Sequence, residues 1–450
     1  MSVPAYSSYR NSGVLWIGDV PAHWTSCRLK HALEKMGSGG TPDTDNGRFW
    51  SADETGTPWV AIGDMSDRDQ VVDTSKRLTA QGLASKGLEI WPAGTLLFSM
   101  YASLGHVAVT ATPMAVNQAI LALVPRSNVS QAYLKRWFEF LRPHLKAEAS
   151  SNTQDNLNAG KVANLPVTLP PIAEQLAIAA FLDRETGKID ALVEAQRQLI
   201  ELLKEKRHAV ISHVITKGLD PSAPMKDSGV EWLGEVPAHW QVAPLMRLTA
   251  PGRDIMYGIV LPGPDTGEGV PIVKGGDVKP HRLKLSLLNW TTPEIEAPFA
   301  RARLRPDDIV YSIRGSIGDA EPVPTELFNA NITQDVARIS PRSNVNSRWL
   351  LHVMRSSPIF VQLEQRSLGA AVRGINIFDL KRARVPVPPP TEQDDLAEFL
   401  DTKIKRLDGL TATAVAAITL LQERRSALIA AAVTGKIDVR GLVPAEAEAA

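Results

Sequence analysis

Asp265, Asp277 and Lys279 stand in a pattern that some nucleases use: Pro264-Asp265, a gap, and then Asp277-Val278-Lys279. Two carboxylates and a lysine could bind Mg²⁺ and activate a water molecule for phosphodiester hydrolysis. The pattern is short enough to arise by chance in a long chain. A self-sufficient nuclease therefore stays open as a minor alternative.

Other catalytic patterns are missing from the sequence. It contains no phosphate-binding Gly-x-x-x-x-Gly-Lys-Ser/Thr loop, no Gly-x-Gly-x-x-Gly after a strand and no Asn/Asp-Pro-Pro-aromatic motif of an amino-methyltransferase. His23 and His239 each stand in Pro-Ala-His-Trp, and two histidines in a duplicated chain are poor candidates for metal ligands. We expect these rings to pack beside their tryptophans at a domain edge. No catalytic residue and no metal site are predicted.

Composition narrows the class of protein. The 450 residues include 49 Lys and Arg against 49 Asp and Glu, and 44% are hydrophobic, enough for sizeable cores. The single cysteine, Cys27, excludes a disulfide framework and suits a reducing compartment. We find no apolar run long enough to span a membrane and no signal-peptide core at the N-terminus. These features predict a cytoplasmic protein without a membrane partner.

The sequence contains an internal duplication. Residues 12–24 (SGVLWIGDVPAHW) return as residues 228–240 (SGVEWLGEVPAHW), and residues 125–129 (PRSNV) return as residues 341–345, both after 216 positions. PPIAEQLAIAAFLD, which begins at Pro170, matches PPPTEQDDLAEFLD after 218 positions. Between these anchors the equivalent of Asp277 is Asp64, which is followed by Met and Ser, without the lysine. A twofold duplication predicts a pseudo-twofold-symmetric molecule.

Each half ends in a long stretch that predicts a helix. Residues 173–216 and 391–434 contain no proline, follow a Pro-Pro pair and lead to Gly218 and Gly435, well placed as C-cap residues. With Leu182 and Leu400 taken as heptad position a, most a sites are apolar. Position d holds, among others, Leu192, Leu199 and Leu410. The pattern predicts two antiparallel coiled-coil helices of about 65 Å each, which would act as a ruler.

The remaining segments mix short β-type runs with turn clusters rich in Gly, Pro, Asn and Asp. We therefore predict an α+β protein. Two mixed α/β units in a pseudo-twofold arrangement would be joined by the two long antiparallel coiled-coil helices.

Charge is distributed unevenly between the halves. Residues 274–384 hold 17 basic and 11 acidic residues, whereas residues 41–165 hold 11 and 12. The excess predicts a phosphate-binding surface in the second half, although a solvated basic face explains it equally well. The predicted DNA contacts there are Lys274, Lys279, Arg282, Lys284, Arg301, Arg303, Arg314 and Arg373. In the first half they are the cations Arg48, Lys76, Arg77 and Lys161, with the loop amides Asn152, Gln154 and Asn156 as readers of adenine edges.

With these repeats in view, the chain resembles the specificity subunit of type I restriction–modification systems over nearly its whole length. The motifs that carry the resemblance are the two Trp-(Ile/Leu)-Gly-(Asp/Glu)-Val-Pro-Ala-His-Trp segments, Gly39-Gly40-Thr41-Pro42, Trp59-Val60-Ala61-Ile62-Gly63-Asp64, and Pro-Pro-x-x-Glu-Gln with Phe-Leu-Asp at Phe181 and Phe399. Gly40, Thr41 and Tyr101 complete the predicted set of DNA contacts. A Gly-Ser/Thr-x-Gln-like loop of the family is matched by Ser151-Asn152-Thr153-Gln154, and Arg373 would take the glutamine's role in the second half.

The resemblance implies DNA recognition in defence against foreign DNA, with no catalysis in this subunit. Double-stranded DNA, two methyltransferase subunits and restriction/translocase subunits would be the partners. S-adenosylmethionine, ATP and Mg²⁺ would belong to those partners and not to this chain. The implied division is target-recognition domain 1 at residues 1–168, a spacer helix at 169–217, domain 2 at 218–386, a second helix at 387–440 and a flexible tail at 441–450.

A function of a different class also fits the layout. The chain could be a protein scaffold whose coiled coil is an assembly site and whose two heads bind proteins. Such a scaffold would bind DNA with little salt dependence. A subunit that reads DNA would instead lose affinity steeply as salt rises.

Overall fold

A computed structural model of the chain describes residues 4–66, 68–101, 103–151, 157–367 and 374–442. The chain divides into two compact units. Unit 1 consists of Met1–Gln196 together with Ala416–Ala450, and unit 2 consists of Arg197–Val415. Unit 1 is therefore assembled from both ends of the chain, whereas unit 2 is continuous. The division of domains implied by the sequence stays a prediction.

The elements of the first half follow in chain order. They are β1 (Tyr9–Asn11), β2 (Asp19–Pro21), β3 (Thr25–Arg28), α1 (Leu29–Ala32), β4 (Leu33–Ser38), β5 (Trp50–Ser51), β6 (Thr57–Val60), α2 (Ile62–Met65), β7 (Gln70–Val71), β8 (Lys76–Leu78), α3 (Ala80–Lys86), β9 (Leu96–Ser99), β10 (Val107–Thr110), β11 (Ala115–Val116), β12 (Ile120–Pro125), α4 (Gln131–Ser151), α5 (Ala159–Ala163), β13 (Pro166–Leu169) and α6 (Ile172–Lys217).

Those of the second half follow in the same way. They are β14 (Met225–Asp227), β15 (Glu235–Pro237), β16 (Gln241–Pro244), β17 (Met256–Tyr257), β18 (Val270–Val273), β19 (Asn289–Thr291), α7 (Pro293–Glu296), β20 (Ile309–Ser312), β21 (Ala320–Pro322), β22 (Asn331–Ile332), β23 (Val336–Ile339), α8 (Ser347–Met354), α9 (Ser357–Ser367), α10 (Ile377–Arg382), β24 (Arg384–Val387) and α11 (Pro390–Val433). Short 3-10 turns lie at Gly47–Phe49, Leu245–Leu248, Gly275–Asp277, Leu285–Leu287, Ala297–Ala302 and Thr325–Leu327.

The sheets of the two units share their strand order, but each described sheet of unit 2 has one strand fewer, without counterparts of β7 and β5. Unit 1 has a sheet of order β4-β12-β9-β10-β7 and a second of order β11-β6-β8-β5. Unit 2 has β17-β23-β20-β21 and β19-β18-β22. In each unit the central strand, β9 or β20, is buried at all four positions, which explains its continuous apolar sequence. The predicted mixture of helix and sheet with long helices is confirmed.

The long helices are α6, with 46 residues, and α11, with 44. Both end at the predicted glycines, whose φ angles of 74° at Gly218 and 70° at Gly435 suit a residue without a side chain. The Gly218 N–H donates to the carbonyl of Val214 at 3.1 Å. After α11 the N–H groups of Gly435 and Lys436 donate to Ala432 and Ala431 at 3.2 and 2.8 Å, a Schellman motif.

Within each unit, segments of the two helices run in opposite directions. In unit 1, Arg425 Nε donates to Asp190 Oδ1 at 2.9 Å, and Arg184 donates to the carbonyl of Leu442, beyond the end of α11, at 3.0 Å. In unit 2, Arg207 approaches Asp408 at 3.7 Å. There the end of α6 at Gly218 lies close to Glu392 near the start of α11.

The seam between these helices differs from the predicted heptad. The predicted a positions, such as Leu182, Ile189 and Leu407, are buried. The d positions are not: Leu192 and Leu199 are 52% and 41% exposed, and Leu410 is 48% exposed. This part of the prediction is wrong, because the buried partners of position a lie at position e.

Thr186, Val193 and Ile404 occupy position e of the seam and are buried. The leucines made position d attractive in the sequence, whereas Thr186 looked too polar for a seam. Inside the helix its hydroxyl donates to the carbonyl of Leu182 at 2.7 Å, so it can be buried with its hydrogen bond made. Among the described helices, none has the length and apolar character needed to cross a membrane.

Candidate nucleic-acid interface

The repeated motifs meet at the beginning of each long helix, and we name these two clusters joint 1 and joint 2. In joint 1, His23 Nε2 lies 2.9 Å from Glu174 Oε2, and Trp24 Nε1 donates to Glu174 Oε1 at 3.0 Å. In joint 2, His239 Nε2 lies 2.8 Å from Glu392 Oε2. The histidines thus have acidic partners, which their sequence neighbourhoods did not reveal. No group of three or more side chains placed to hold a metal ion occurs in the described parts of the chain.

The glutamine that follows each of these glutamates fixes the third repeated motif. Gln175 accepts from the N–H of Ser130 at 2.8 Å and donates to the carbonyl of Pro170 at 2.8 Å. Gln393 makes the same two contacts with Asn346 and Pro388, at 2.9 and 3.0 Å. Both glutamines are buried. These repeated glutamines therefore have the same structural role in both units.

The nuclease-like carboxylates also have structural roles. Asp277 is buried, and its Oδ2 accepts from the N–H of Lys274 at 3.0 Å at the start of a 3-10 turn. Asp64 of unit 1 makes the same bond to the N–H of Ala61 at 2.9 Å. Asp265 accepts from the N–H groups of Trp290 and Gly267 at 2.9 and 3.1 Å, and these bonds hold its pKa below the usual value. Asp277 and Asp64 thus make the same bond to the backbone. The aspartates of the nuclease-like pattern are explained by this structural role and need no catalytic one.

The predicted cations of unit 2 fall into two groups. Arg303 is held by Glu296 through two bonds of 2.8 and 2.7 Å, and Arg282 approaches Asp277 at 3.5 Å. The first group also includes Lys274 and Lys279, which are half-buried on either side of the 3-10 turn. The exposed cations without an ion pair inside the described residues are Lys284, Arg301 and Arg314. This second group is available to a polyanion such as DNA.

Other arginines of unit 2 contribute nothing to its surface charge. Arg338 is buried, and its guanidinium donates to the carbonyl of Asp254 at 3.0 Å and also to those of Arg301 and Arg303. Burial lowers the pKa of Arg338 to about 10. Arg253 is paired with the buried Asp308. The sequence count of basic residues therefore overstates the charge that this unit presents to a ligand.

The predicted contacts of unit 1 are more scattered. Arg77 is engaged by Asp73 at 2.7 Å and by two carbonyls, whereas Arg48 is exposed. Lys76 lies 5.1 Å from the centre of the Trp50 ring. Lys161 lies in α5, and Tyr101 is exposed beyond the end of β9. Asn152, Gln154, Asn156 and Arg373 lie outside the described residues.

Thr41 and Gly40 lie beside a residue that the sequence did not single out. The Thr41 hydroxyl donates to the side-chain oxygen of Gln118, which is exposed. Gly40 donates to the carbonyl of Val116 at 3.1 Å, and its own carbonyl accepts from Trp59 Nε1 at 3.0 Å. Gln118 belongs to no motif that the sequence suggested. Its recurrence 216 positions later as Gln334 was the feature that could have revealed it.

Unit 2 contains a cavity of about 560 Å³ at the corresponding place. Its lining joins one predicted residue to several that were not predicted: Tyr257, Ile313, Arg314, Gln334, Gly374, Ile375, Asn376 and Ile377. The cavity presents a cation, an amide and a phenol beside apolar surface. This combination suits the edge and face of a nucleic-acid base.

Comparison with known proteins agrees with these features. The family described as "Type I restriction modification DNA specificity domain" matches residues 21–202. The type I restriction enzyme EcoBI specificity subunit of Escherichia coli is 27% identical over 365 residues, covering 79% of this chain and 76% of that protein. The chain is thus similar to type I specificity subunits over most of its length, and residues 21–202 match the model of their DNA specificity domain. The relatives that match carry the name of a specificity subunit, in agreement with the prediction that this chain is not itself the enzyme.

Solved structures support the fold of this chain. The HsdS subunit from Thermoanaerobacter tengcongensis superposes with a TM-score of 0.54 at 17% identity, covering 93% of this chain and 98% of that one. A chain from a study of complex assembly and conformational transition of the type I R-M system gives a TM-score of 0.64 at 18% identity, covering 94% and 99%. These likenesses concern the fold alone.

Proposed function

We propose that this chain is the specificity subunit of a restriction–modification complex and that it reads a bipartite DNA site, one part with each unit. The observation that carries the proposal is the duplication itself. The two joints are built from the same residues, while the residues between the anchors differ. Two similar frames with different contact residues suit the reading of two different half-sites. The proposed target-recognition domains are residues 1–168 and 218–386.

Partner subunits are part of the proposal. In unit 1 the long helices leave Leu192 and Leu420 exposed, and in unit 2 they leave Leu199, Leu202 and Leu410 exposed. Exposed apolar residues along a helix are common where another protein docks. We assign these leucines to the methyltransferase subunits, with the restriction/translocase subunits joining the same complex. S-adenosylmethionine, ATP and Mg²⁺ would act on those subunits.

The length of the long helices is proposed to set the gap between the half-sites. Two reading heads must meet grooves that recur about every 34 Å along the duplex. Deleting seven residues from each helix, residues 193–199 and 411–417, is therefore expected to change the preferred gap while leaving both half-site sequences unchanged. An unchanged gap would refute this role of the helices.

The proposed function is tested in two measurements on the full chain co-expressed with its methyltransferase subunit. Mapping modified adenines across the host genome should give one motif with two specified parts and an unspecified gap. DNA affinity should fall steeply between roughly 50 and 200 mM salt, because phosphate contacts release counterions. A scaffold that binds proteins would give no motif and little salt dependence.

A further inference from the structure

We propose that Gln118 and Gln334 are equivalent base-reading residues, each of which contacts an adenine in the half-site of its own unit. The inference rests on the proposed function and names the residues through which each unit would read sequence. Neither glutamine belongs to the repeated joints. Both lie in short links between the two sheets of their unit.

A close approach of two backbone segments lies just before each glutamine. In unit 1 the end of β11 lies so close to Gly39 that a Cβ on this glycine would be 1.5 Å from the carbonyl oxygen of Val116. In unit 2 a Cβ on Gly258 would be 1.9 Å from the carbonyl oxygen of Ile332. Only glycine permits this approach. The glutamine follows two residues later in both units, so its position is fixed by the same close contact.

Neighbouring hydrogen bonds hold the link on its other side. The N–H of Asn117 donates to the carbonyl of Val60 at 3.0 Å in unit 1, and the N–H of Thr333 donates to that of Val273 at 3.0 Å in unit 2. The N–H of Gln334 is itself bonded to Ile259 at 2.9 Å. Hydrogen bonds therefore hold the backbone immediately before each glutamine. A rigid backbone is what a side chain needs if it is to select one base.

The amide groups themselves are accessible. Gln118 is exposed, and Gln334 is half-buried in the wall of the cavity of unit 2. A glutamine amide matches adenine through two bonds, because it accepts from N6 and donates to N7. In unit 1 the Thr41 hydroxyl donates to the Gln118 oxygen, which restrains the orientation of the amide. Val260 stands at the position of Thr41 in unit 2 and cannot do this.

The neighbouring residue differs between the units. Arg314, which lines the same cavity as Gln334, corresponds to Tyr101 in the alignment of the halves. Arginine pairs with guanine through O6 and N7, whereas tyrosine offers a ring for stacking. Both half-sites should thus contain an adenine that the glutamine contacts. The base next to this adenine should differ between them, and it should be guanine in the half-site of unit 2.

The test uses the full chain in complex with its methyltransferase subunit and maps modified adenines genome-wide for Gln118→Ala and Gln334→Ala. Each variant should lose about 5- to 150-fold of the preference at one base pair. The two affected base pairs should lie in different half-sites. Thr41→Val should produce a smaller loss at the same base pair as Gln118→Ala. Arg314→Ala should relax a guanine in the half-site that Gln334→Ala affects.

Matched controls are Gln70→Ala and Gln241→Ala, which alter exposed glutamines on strands of units 1 and 2 away from the links. Both should leave the motif unchanged. Gln118→Glu and Gln334→Glu keep the side-chain shape and should shift the preference from adenine toward cytosine, so the proposal stays testable if an alanine variant does not assemble. A defined wild-type motif that the glutamine variants leave intact, or weaken evenly at all positions, overturns the inference alone. A wild-type complex without a two-part motif overturns the proposed function as well.

Discussion

Joint 1 and joint 2 are built from the same sequence motifs, yet they hold their helices differently. The Glu174 side chain in joint 1 is 6% exposed and is bonded to Tyr6, His23 and Trp24. Glu392 in joint 2 is 27% exposed and has His239 as its partner. The indole N–H of Trp240 has no hydrogen-bond partner in the described structure. Glu174 and Glu392 therefore occupy equivalent positions in the two joints but have different hydrogen-bond partners.

The source of the difference is the path of the chain. In joint 2 the segment from Gly218 to Trp240 follows directly from α6. In joint 1 the equivalent N-terminal segment is not covalently continuous with the helix end that it contacts, which is the end of α11. There Tyr9 donates to the carbonyl of Gly435 at 3.1 Å, and the N–H of Asp438 donates to the carbonyl of Pro4 at 2.7 Å. Burial and the Glu174 carboxylate raise the pKa of the Tyr6 hydroxyl, which stays a donor. These additional bonds connect the N-terminal segment to the residues after α11, which the chain does not link directly.

Removing the distant segment should have the largest effect. Truncation after Val433 deletes the Gly435 cap, the Asp438 bond and the buried Val439, and should destabilise unit 1 by about 3 kcal/mol or more. Hydrogen exchange followed by mass spectrometry should show faster exchange in unit 1 with unit 2 unchanged. Truncation after Leu442 keeps all the described contacts and is the control. Equal loss of protection in both units would contradict the asymmetry of the joints.

The two glutamates provide the next comparison. Glu174→Ala leaves the buried donors of Tyr6 and Trp24 unpaired and should cost roughly 2–3 kcal/mol of unfolding free energy. Glu392→Ala removes one half-exposed pair and should cost less than about 1 kcal/mol. Urea unfolding, with each unit followed through its own peptides in hydrogen exchange, measures both. Similar costs for the two variants would show that the extra bonds of joint 1 contribute no stability.

A smaller difference depends on pH. The aspartate of Phe-Leu-Asp pairs with Arg136 in unit 1, where Asp183 lies 3.1 Å from its Nε, and with His352 in unit 2, where Asp401 lies 2.7 Å from its Nε2. Burial lowers the pKa of His352, so this imidazole takes up a proton less readily in folded unit 2 than in the unfolded chain. The unfolded chain takes up the proton first as pH falls below about 6.5. The unfolding free energy of unit 2 should then decrease, by up to about 1.4 kcal/mol per pH unit.

The measurement compares unfolding of the two units at pH 7.0 and 5.5, for the wild type and for His352→Gln. The variant lacks the titrating group and should lose this part of the pH dependence of unit 2. An unchanged dependence would assign it to other groups.

The smallest effect concerns the surface cations. Lys284→Ala removes one exposed charge of unit 2 and should reduce the slope of log affinity against log salt by about one if the lysine contacts a phosphate. Arg303→Ala, by contrast, breaks the pair with Glu296 and should lower stability. Filter binding across a salt series and thermal unfolding separate the two outcomes. A lysine variant with the wild-type slope would remove Lys284 from the interface.

The sequence was informative where one motif repeats and misleading where contacts are distant. The repeats located both joints, and the glycines located both helix ends. The partners of His23 and His239 escaped notice because each glutamate lies about 150 residues away in the chain. The heptad was misassigned because a threonine can bury its hydroxyl in its own helix.

The charge count failed for a related reason. Sequence alone does not distinguish an exposed cation such as Lys284 from Arg303, whose charge Glu296 neutralises, or from Arg338, which is buried. These outcomes depend on three-dimensional neighbours. The link that carries Gln118 escaped notice because Asn117-Gln118 is a short polar pair without periodicity, and its neighbours Gly39 and Thr41 are distant in the chain.

The discontinuous joint 1 also sets an order of events on the ribosome. The first 196 residues of unit 1 are synthesised before unit 2. About 220 further residues are then added before synthesis reaches Ala416, where the second segment of unit 1 begins. At about 5–20 residues per second, that delay is roughly ten to forty seconds. During it, the apolar surface that will receive Ile429, Ala432 and Val433 has no cover from its own chain. The first unit to begin synthesis is the last to finish folding.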